Sequence, residues 1–152
     1  MVSIREAHSS DRGEWVRLRS TLWPDSSADH PQEFDEYLRQ EGEGSVAFVA
    51  ERPDGEGLCG FLEVRLRSHA DGCSSYPVAY IEGWYVEAEF QRHGIGAALV
   101  DSATRWARRL GLREMASDSE LGNALGQRAH LAVGFDEVGR IVQFRKTIES
   151  AR

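Results

Sequence analysis

The sequence has only two cysteines, Cys59 and Cys73, and no long run of apolar residues. Two cysteines cannot build a disulfide framework, and their spacing matches no metal-ligand motif, so we expect two reduced thiols and no metal site. No apolar run approaches the roughly 18 residues that a membrane-spanning helix needs. The first residues also lack the basic and apolar regions of a secretory signal. We therefore expect a cytoplasmic protein with no membrane partner.

Basic residues are in the minority, since 18 Lys and Arg stand against 25 Asp and Glu and give a formal net charge of -7. A general nucleic-acid binder needs a basic face, so this balance argues against that class of protein. An acidic surface attracts and steers cations, which suits a small cationic partner. The same charge is also common in proteins that need it only for solubility.

The chain of 152 residues contains no repeat, low-complexity tract or long linker, so the sequence predicts a single domain over residues 1–152. Hydrophobic periodicity predicts the order β-α-α-β-β-β-α-β-α-β-β. This order is typical of an α/β fold in which a mixed, mostly antiparallel twisted sheet carries helices on both faces. The predicted strands are 2–6, 45–52, 58–67, 78–86, 113–117 and two strands or one bent hairpin within 135–148.

The run Gln91-Arg92-His93-Gly94-Ile95-Gly96 lies between the most apolar predicted strand and a long amphipathic helix. A turn into a helix N-terminus exposes backbone N–H groups that have no acceptor within the helix, and the macrodipole adds partial positive charge there. Glycines at 94 and 96 let a pyrophosphate approach the backbone, and Arg92 can add a charge-assisted contact. The turn therefore predicts a phosphate-bearing ligand, although a plain helix-entry turn with two glycines fits the same pattern.

The strand, this turn and the following helix together resemble the acetyl-CoA-binding core of the GNAT superfamily of N-acetyltransferases. Further segments, in order across most of the chain, resemble the aminoglycoside 6'-N-acetyltransferases of that superfamily. They are Leu22-Trp23-Pro24, Asp71-Gly72-Cys73, Ile81-Glu82-Gly83, Arg113-Glu114-Met115-Ala116-Ser117-Asp118 and Gly134-Phe135.

The resemblance implies acetyl-CoA as cosubstrate, with the pyrophosphate on the turn, the pantetheine arm along the preceding strand, and no metal. It also implies a cationic aminoglycoside as substrate and a homodimer. The residues implied to contact acetyl-CoA are Trp84, Tyr85, Val86, Gln91, Arg92, His93, Gly94, Ile95, Gly96, Ala97 and Asn123. For Asn123, which begins the last helix, capping that helix is the alternative role.

Glu82 is an acid in an otherwise apolar strand, and a buried carboxylate without a partner is costly. One interpretation is that it faces solvent at a strand edge. The other is that it binds the ammonium of the substrate and accepts its proton, directly or through water, because an amine attacks a thioester only when unprotonated. The superfamily resemblance favours this catalytic and substrate-binding role.

Three other residues are implied to contact the substrate, each with a simpler alternative. Asp118 would contact amino groups, or else cap the next helix. Trp23 would line the substrate groove, where its ring suits a sugar face and a nearby cation, or else pack in the core. His69 stands where relatives have an aromatic contact, and a solvent-facing loop histidine is equally compatible. Gly139 and Phe144 lack the ionisable groups that relatives offer there, so no general acid is assigned.

These observations predict direct acetyl transfer from acetyl-CoA to the 6'-amine of an aminoglycoside. Two alternatives stay open at this point. The chain could acetylate another small amine or a peptide N-terminus, or it could be a CoA-binding module without catalysis. Acids beside the thioester argue against the last alternative, since binding alone does not require them.

Overall fold

The computed structural model describes residues 2–40 and 43–150, and it divides into two compact units, Met1–Asp118 and Ser119–Arg152. The first unit contains a five-stranded sheet in the order β1-β2-β3-β4-β5. Its strands are β1 (Ile4–Glu6), β2 (Ser45–Glu51), β3 (Leu58–Arg67), β4 (Val78–Val86) and β5 (Met115–Ala116). Its helices are α1 (Arg12–Leu22), α2 (His30–Arg39) and α3 (Ile95–Arg109).

Neighbouring strands from β1 to β4 are antiparallel, and β5 joins β4 in parallel. Successive side chains of a strand point to opposite faces, so each strand contributes to two core layers. Ala47 and Val49 of β2 pack with Trp15 of α1 and Phe34 of α2 on one face. On the other face, Gly60 of β3 lies against Leu99 of α3. Helices therefore cover both faces of a mixed sheet, as the sequence predicts.

The pairing of β3 with β4 contains a β-bulge. Glu63 pairs with Gly83 and the next residue, Val64, pairs with Ile81, so Glu82 is the extra residue on β4. A bulge of this kind turns two consecutive side chains toward the same face of the sheet. The contacts agree, because Glu82 binds Arg67 while a Cβ on Gly83 would point at Trp23. The bulge thus places Glu82 on the face that α1 and α2 cover.

In the described residues of the second unit there is one helix, α4 (Ala124–Ala132). Residues 135–150 are described without helix or strand, whereas the sequence predicts two strands or a bent hairpin within 135–148. The apolar alternation there is that of a strand, but a strand also needs a neighbour with which to exchange backbone hydrogen bonds. Among the described residues of this unit no strand offers that pairing.

Both cysteines are free, with Cys59 buried and Cys73 half-buried, in agreement with two reduced thiols. No helix in the described part of the chain is long and apolar enough to span a membrane. Within residues 2–40 and 43–150, no group of three or more His, Cys, Asp and Glu side chains is arranged to hold a metal ion.

Candidate active site

The outer edge of β4 is open over its second half. β5 pairs with β4 only at Ala79 and Tyr80, and in the described part of the chain no strand pairs with β4 beyond that point on this side. Backbone groups there can form hydrogen bonds with an extended ligand, which would lie along β4 as an added strand does.

The direction of each backbone group on this edge follows from the pairing with β3. The N–H of Glu87 donates to the carbonyl of Cys59 at 2.9 Å, so by alternation the N–H of Tyr85 also faces β3. The N–H groups of Trp84 and Val86 then face the open edge. The side chain of Gln91 donates from Nε2 to the Val86 carbonyl at 2.9 Å, in keeping with this direction. Of the N–H groups of Tyr85 and Val86, both implied to contact acetyl-CoA, the geometry therefore makes that of Val86 accessible from the open edge.

The turn after β4 has the backbone shape that an anion site needs. Gly94 is the N-cap residue of α3 with φ +79°, and Arg92 also has positive φ, at +67°. Because the N-cap residue is a glycine, it offers no side chain to cap this helix end. The N–H groups of Ile95, Gly96 and Ala97 lie in the first turn, where a helix supplies no acceptor, so they are available to a phosphate.

The two glycines of the turn have different roles. A Cβ on Gly94 would meet nothing within 4 Å, so glycine is needed there for its positive φ. A Cβ on Gly96 would lie 3.2 Å from Cζ2 of Trp84, so glycine there lets the turn approach the indole. The side chains of Arg92 and His93 are exposed, and that of Gln91 ties the turn to the end of β4.

The two predicted acids are brought together in one cluster with partners that the sequence did not indicate. Glu82 is paired with Arg67 through two hydrogen bonds, Nε to Oε1 at 2.9 Å and Nη2 to Oε2 at 2.7 Å. The Arg67 guanidinium lies 3.4 Å from the centroid of the Tyr80 ring, and the Tyr80 hydroxyl donates to Asp118. Burial and this hydrogen bond raise the pKa of the Tyr80 phenol, so it remains a donor at neutral pH.

These contacts bear on the simpler alternative considered for each acid. Glu82 is neither solvated at a free edge nor buried alone, since 23% of its side chain is exposed and both oxygens are bonded. Asp118 is exposed and does not cap α4, because Asn123 is the N-cap residue and accepts a hydrogen bond from the N–H of Gly126 at 2.9 Å. The capping role considered for Asn123 is therefore present.

Trp23 follows α1 and packs partly against the core, next to β4. A Cβ on Gly83 would lie only 2.4 Å from Cη2 of its indole, so the ring rests on the backbone of β4 beside Glu82. Its other neighbours are Phe61, at 6.1 Å between centroids, and the Arg19 guanidinium, 4.7 Å from the ring centroid. Half-burial leaves part of the ring accessible, so core packing and a substrate contact are compatible.

A buried charged network holds Trp23 in this position. Arg19 is bonded to Glu63, Glu33 and, from Nε at 3.1 Å, to Nδ1 of His30. The His30 ring is also 3.0 Å, through Nε2, from the carbonyl of Trp23. Burial raises the pKa of Glu63 to about 7, against the opposing effect of Arg19. Arg19 of α1 and Glu63 of β3 are charged residues at positions that face the core. That placement is the one feature of the sequence that could have indicated this network.

His69 lies exposed in the loop after β3, and its Nδ1 is 3.2 Å from the Ser68 hydroxyl. The same loop is fixed near its end by Glu114, which accepts hydrogen bonds from the N–H groups of Ser74 and Ser75 at 2.9 and 2.7 Å. The role of His69 toward a substrate stays a prediction.

An open strand edge followed by a glycine-rich helix entry can hold an extended ligand that carries a phosphate, as the resemblance to the acetyltransferases implies. In agreement with it, residues 15–135 match the model of the acetyltransferase (GNAT) family, and the chain belongs to that family. The resemblance to this superfamily is thereby confirmed.

Individual relatives are more specific. The chain is 41% identical over 147 residues to an aminoglycoside N(6')-acetyltransferase type 1 of Klebsiella aerogenes, covering 95% of this chain and 96% of the relative. It is 43% identical over 148 residues to the protein of the same name from Stenotrophomonas maltophilia, covering 97% and 94%. The structure of AAC(6')-Iy in complex with the bisubstrate analog CoA-S-monomethyl-acetylneamine has a TM-score of 0.88 at 31% identity, covering 97% and 99%.

Proposed function

We propose that this protein is an aminoglycoside 6'-N-acetyltransferase, which transfers acetyl from acetyl-CoA directly to the 6'-amine and so confers antibiotic resistance. One observation carries the proposal. A cluster of two acids and a tryptophan, suited to a polyamine, adjoins on β4 the open edge and helix turn that suit CoA. The relatives at 41% and 43% identity, named for this reaction, support it.

Acetyl-CoA would be held by the backbone more than by side chains. The pantetheine arm would lie along the outer edge of β4 at 84–86, with the N–H of Val86 at the thioester carbonyl, and the pyrophosphate would accept from the N–H groups of 95–97. Arg92 is exposed beside them and would add a positive charge. Asn123 belongs to this set only by resemblance, because its Oδ1 is used in capping α4.

In the transfer, the nitrogen of the neutral 6'-amine attacks the thioester carbonyl and the C–N bond forms. The C–S bond then breaks, and CoA leaves as a thiolate that takes a proton from the substrate nitrogen or from water. Glu82 would bind the incoming ammonium and take its proton, directly or through water. The N–H of Val86 would stabilise the oxyanion of the tetrahedral intermediate. Trp23 and Asp118 would orient the sugar and a second amino group, so that proximity supplies much of the acceleration. No covalent enzyme intermediate is required.

Three wider expectations accompany this function. We place the reaction in the cytoplasm, where acetyl-CoA is available, with no nucleic-acid or membrane partner. Both units would form one domain over residues 1–152, because the family match at 15–135 spans their boundary. We also expect a homodimer, which would bury apolar side chains that are exposed near the end of the chain. These side chains are Val138, Ile141, Val142, Phe144 and Ile148. A monomeric mass by light scattering would contradict the dimer.

Replacing Glu82 with glutamine tests the role of the carboxylate. Glu82→Gln keeps the size of the side chain but removes the charge and the proton acceptor. We expect kcat/KM for kanamycin to fall by at least about tenfold, the lower range for loss of a proton-transfer or charged contact. Steady-state thiol release from acetyl-CoA measures it across pH.

Asp35→Asn is the matched control. Asp35 also accepts from Nε and a terminal nitrogen of an arginine, Arg12, at 3.0 and 3.2 Å, but between α1 and α2, away from β4. It should leave kcat/KM unchanged. Wild-type kinetics for Glu82→Gln at every pH would remove Glu82 from the mechanism.

A further inference from the structure

Arg67 places a positive charge inside the acidic cluster that the proposed function assigns to the substrate. It is the last residue of β3, and its guanidinium donates one hydrogen bond to each oxygen of Glu82 in a planar fork. Bidentate pairs of this kind are among the strong hydrogen bonds of a carboxylate. In the free protein, therefore, Glu82 already has the kind of partner that a substrate ammonium would offer.

Arg67 also lies between Glu82 and the second acid. Its guanidinium is 3.4 Å from the centroid of the Tyr80 ring, a cation–π contact, and the Tyr80 hydroxyl donates to Asp118. Each acid thus has an internal partner, and of these two partners Arg67 is the charged one. An ammonium group that takes the place of the guanidinium fork on Glu82 must displace Arg67. The Tyr80 hydroxyl bonds to Oδ2 of Asp118, and because a carboxylate accepts more than one hydrogen bond, a second ammonium group can bind Asp118 beside it.

The pair is built so that displacement is feasible. The Arg67 side chain is 44% exposed, whereas that of Glu82 is 23% exposed. An arginine at the end of a strand can swing its long side chain into water without leaving a buried charge behind. The carboxylate, held on the bulge of β4, stays in place for the next cation.

We propose that Arg67 is an internal stand-in for the substrate ammonium, which closes the acidic cluster in the free protein and determines which acceptors enter. An acceptor must carry enough positive charge to compete with a bidentate guanidinium, so Arg67 selects polyamines over weakly charged amines. The inference rests on the proposed function, since it takes Glu82 as the substrate's binding group.

Arg67→Met tests this directly, because methionine keeps an apolar stem over Tyr80 and removes the charge. We expect the KM and the dissociation constant for kanamycin to fall about fivefold, with kcat within about twofold and the KM for acetyl-CoA unchanged. A fivefold fall corresponds to a site that is open in about one wild-type molecule in five. Arg67→Lys, which keeps the charge but loses the fork, should lie between the two.

Arg12→Met is the matched control, since it removes the guanidinium of the Arg12–Asp35 pair and should leave all constants unchanged. If Arg67 instead positions Glu82 for catalysis, Arg67→Met will raise KM or lower kcat. An unchanged or weaker affinity for kanamycin in Arg67→Met, with an active wild type, overturns the proposal.

Calorimetric titration of kanamycin in the presence of CoA separates this proposal from the proposed function, because it needs no turnover. Tighter binding by Arg67→Met without any acetyl transfer by the wild type overturns the function and supports the stand-in role. Acetyl transfer by the wild type without tighter binding by Arg67→Met supports the function and overturns the stand-in role. A wild type that neither binds nor acetylates kanamycin overturns both proposals.

Discussion

A methyl group added at Gly83 should disturb the binding of the acceptor and leave the binding of acetyl-CoA unchanged. A Cβ there would lie 2.4 Å from Cη2 and 3.2 Å from Cζ2 of Trp23, and 3.2 Å from Cε2 of Phe61. An ordinary contact needs about 3.4 Å or more, so the Trp23 ring must move by about 1 Å. Arg19 and Phe61 lie against the ring and limit where it can go.

The cost of Gly83→Ala follows from that clash. Overpacking of this kind destabilises proteins by about 1–3 kcal/mol, and the gain from replacing a strand glycine offsets about 0.5–1 kcal/mol of it. If the displaced ring loses its substrate contact, the KM for kanamycin rises about tenfold, which corresponds to about 1.4 kcal/mol. The KM for acetyl-CoA should not change, because Trp84 and α3 lie on the opposite face of the sheet.

The assay is steady-state thiol release with each substrate varied in turn, together with thermal unfolding to show that the variant is folded. Gly13→Ala is the control, since a Cβ on this glycine of α1 would meet nothing within 4 Å. It should raise the free energy of unfolding by about 0.5–1 kcal/mol and leave both KM values alone. A folded Gly83→Ala protein with the wild-type KM for kanamycin would refute the placement of Trp23 in the acceptor site.

Two further substitutions test the other side of β4 and the buried network. Gly94→Ala forces alanine to φ near +79°, a strain of about 1 kcal/mol. It should raise the KM for acetyl-CoA about fivefold and leave the KM for kanamycin unchanged. A KM for acetyl-CoA equal to that of the wild type would contradict the role of the turn. Because burial raises the pKa of Glu63 to about 7 from the usual 4.5, the folded state binds the proton more tightly than the unfolded state. This contribution to stability is full below pH 4.5 and is lost as the pH rises to 7, so wild type should lose stability relative to Glu63→Gln over that range. Urea unfolding from pH 5 to 8 measures the difference, and one that does not vary with pH would contradict the raised pKa.

The sequence predicted most of what depends on local pattern. The turn at 91–96 was predicted from its glycines, and the strand order up to β5 from hydrophobic periodicity, because both depend on neighbouring residues. The family resemblance, now confirmed by the match over residues 15–135, was needed to assign substrate roles to the two acids and Trp23. From residue chemistry alone, Glu82 could face solvent, Asp118 could cap a helix and Trp23 could pack in the core.

The partners of those residues could not be predicted, because they depend on register between distant strands. Arg67 and Glu82 meet only because a bulge shifts β4 by one residue against β3. A glycine inside a strand pattern, here Gly83, is the one local sign of such a bulge. Likewise, Arg19 meets Glu63 through the packing of α1 on β3, which no spacing along the chain reveals. Strands in 135–148 were predicted from alternation alone, and alternation does not supply a pairing partner.

The central claim is that the acceptor is the 6'-amine of an aminoglycoside. Its most direct test is the rate of thiol release from acetyl-CoA with a kanamycin that carries a 6'-amine, compared with the analogue that carries a 6'-hydroxyl and is otherwise the same. We predict turnover with the amine, acetylation at the 6' nitrogen by mass spectrometry and NMR, and no reaction with the hydroxyl compound. Equal rates with both compounds, or acetylation at another amine, would contradict the account.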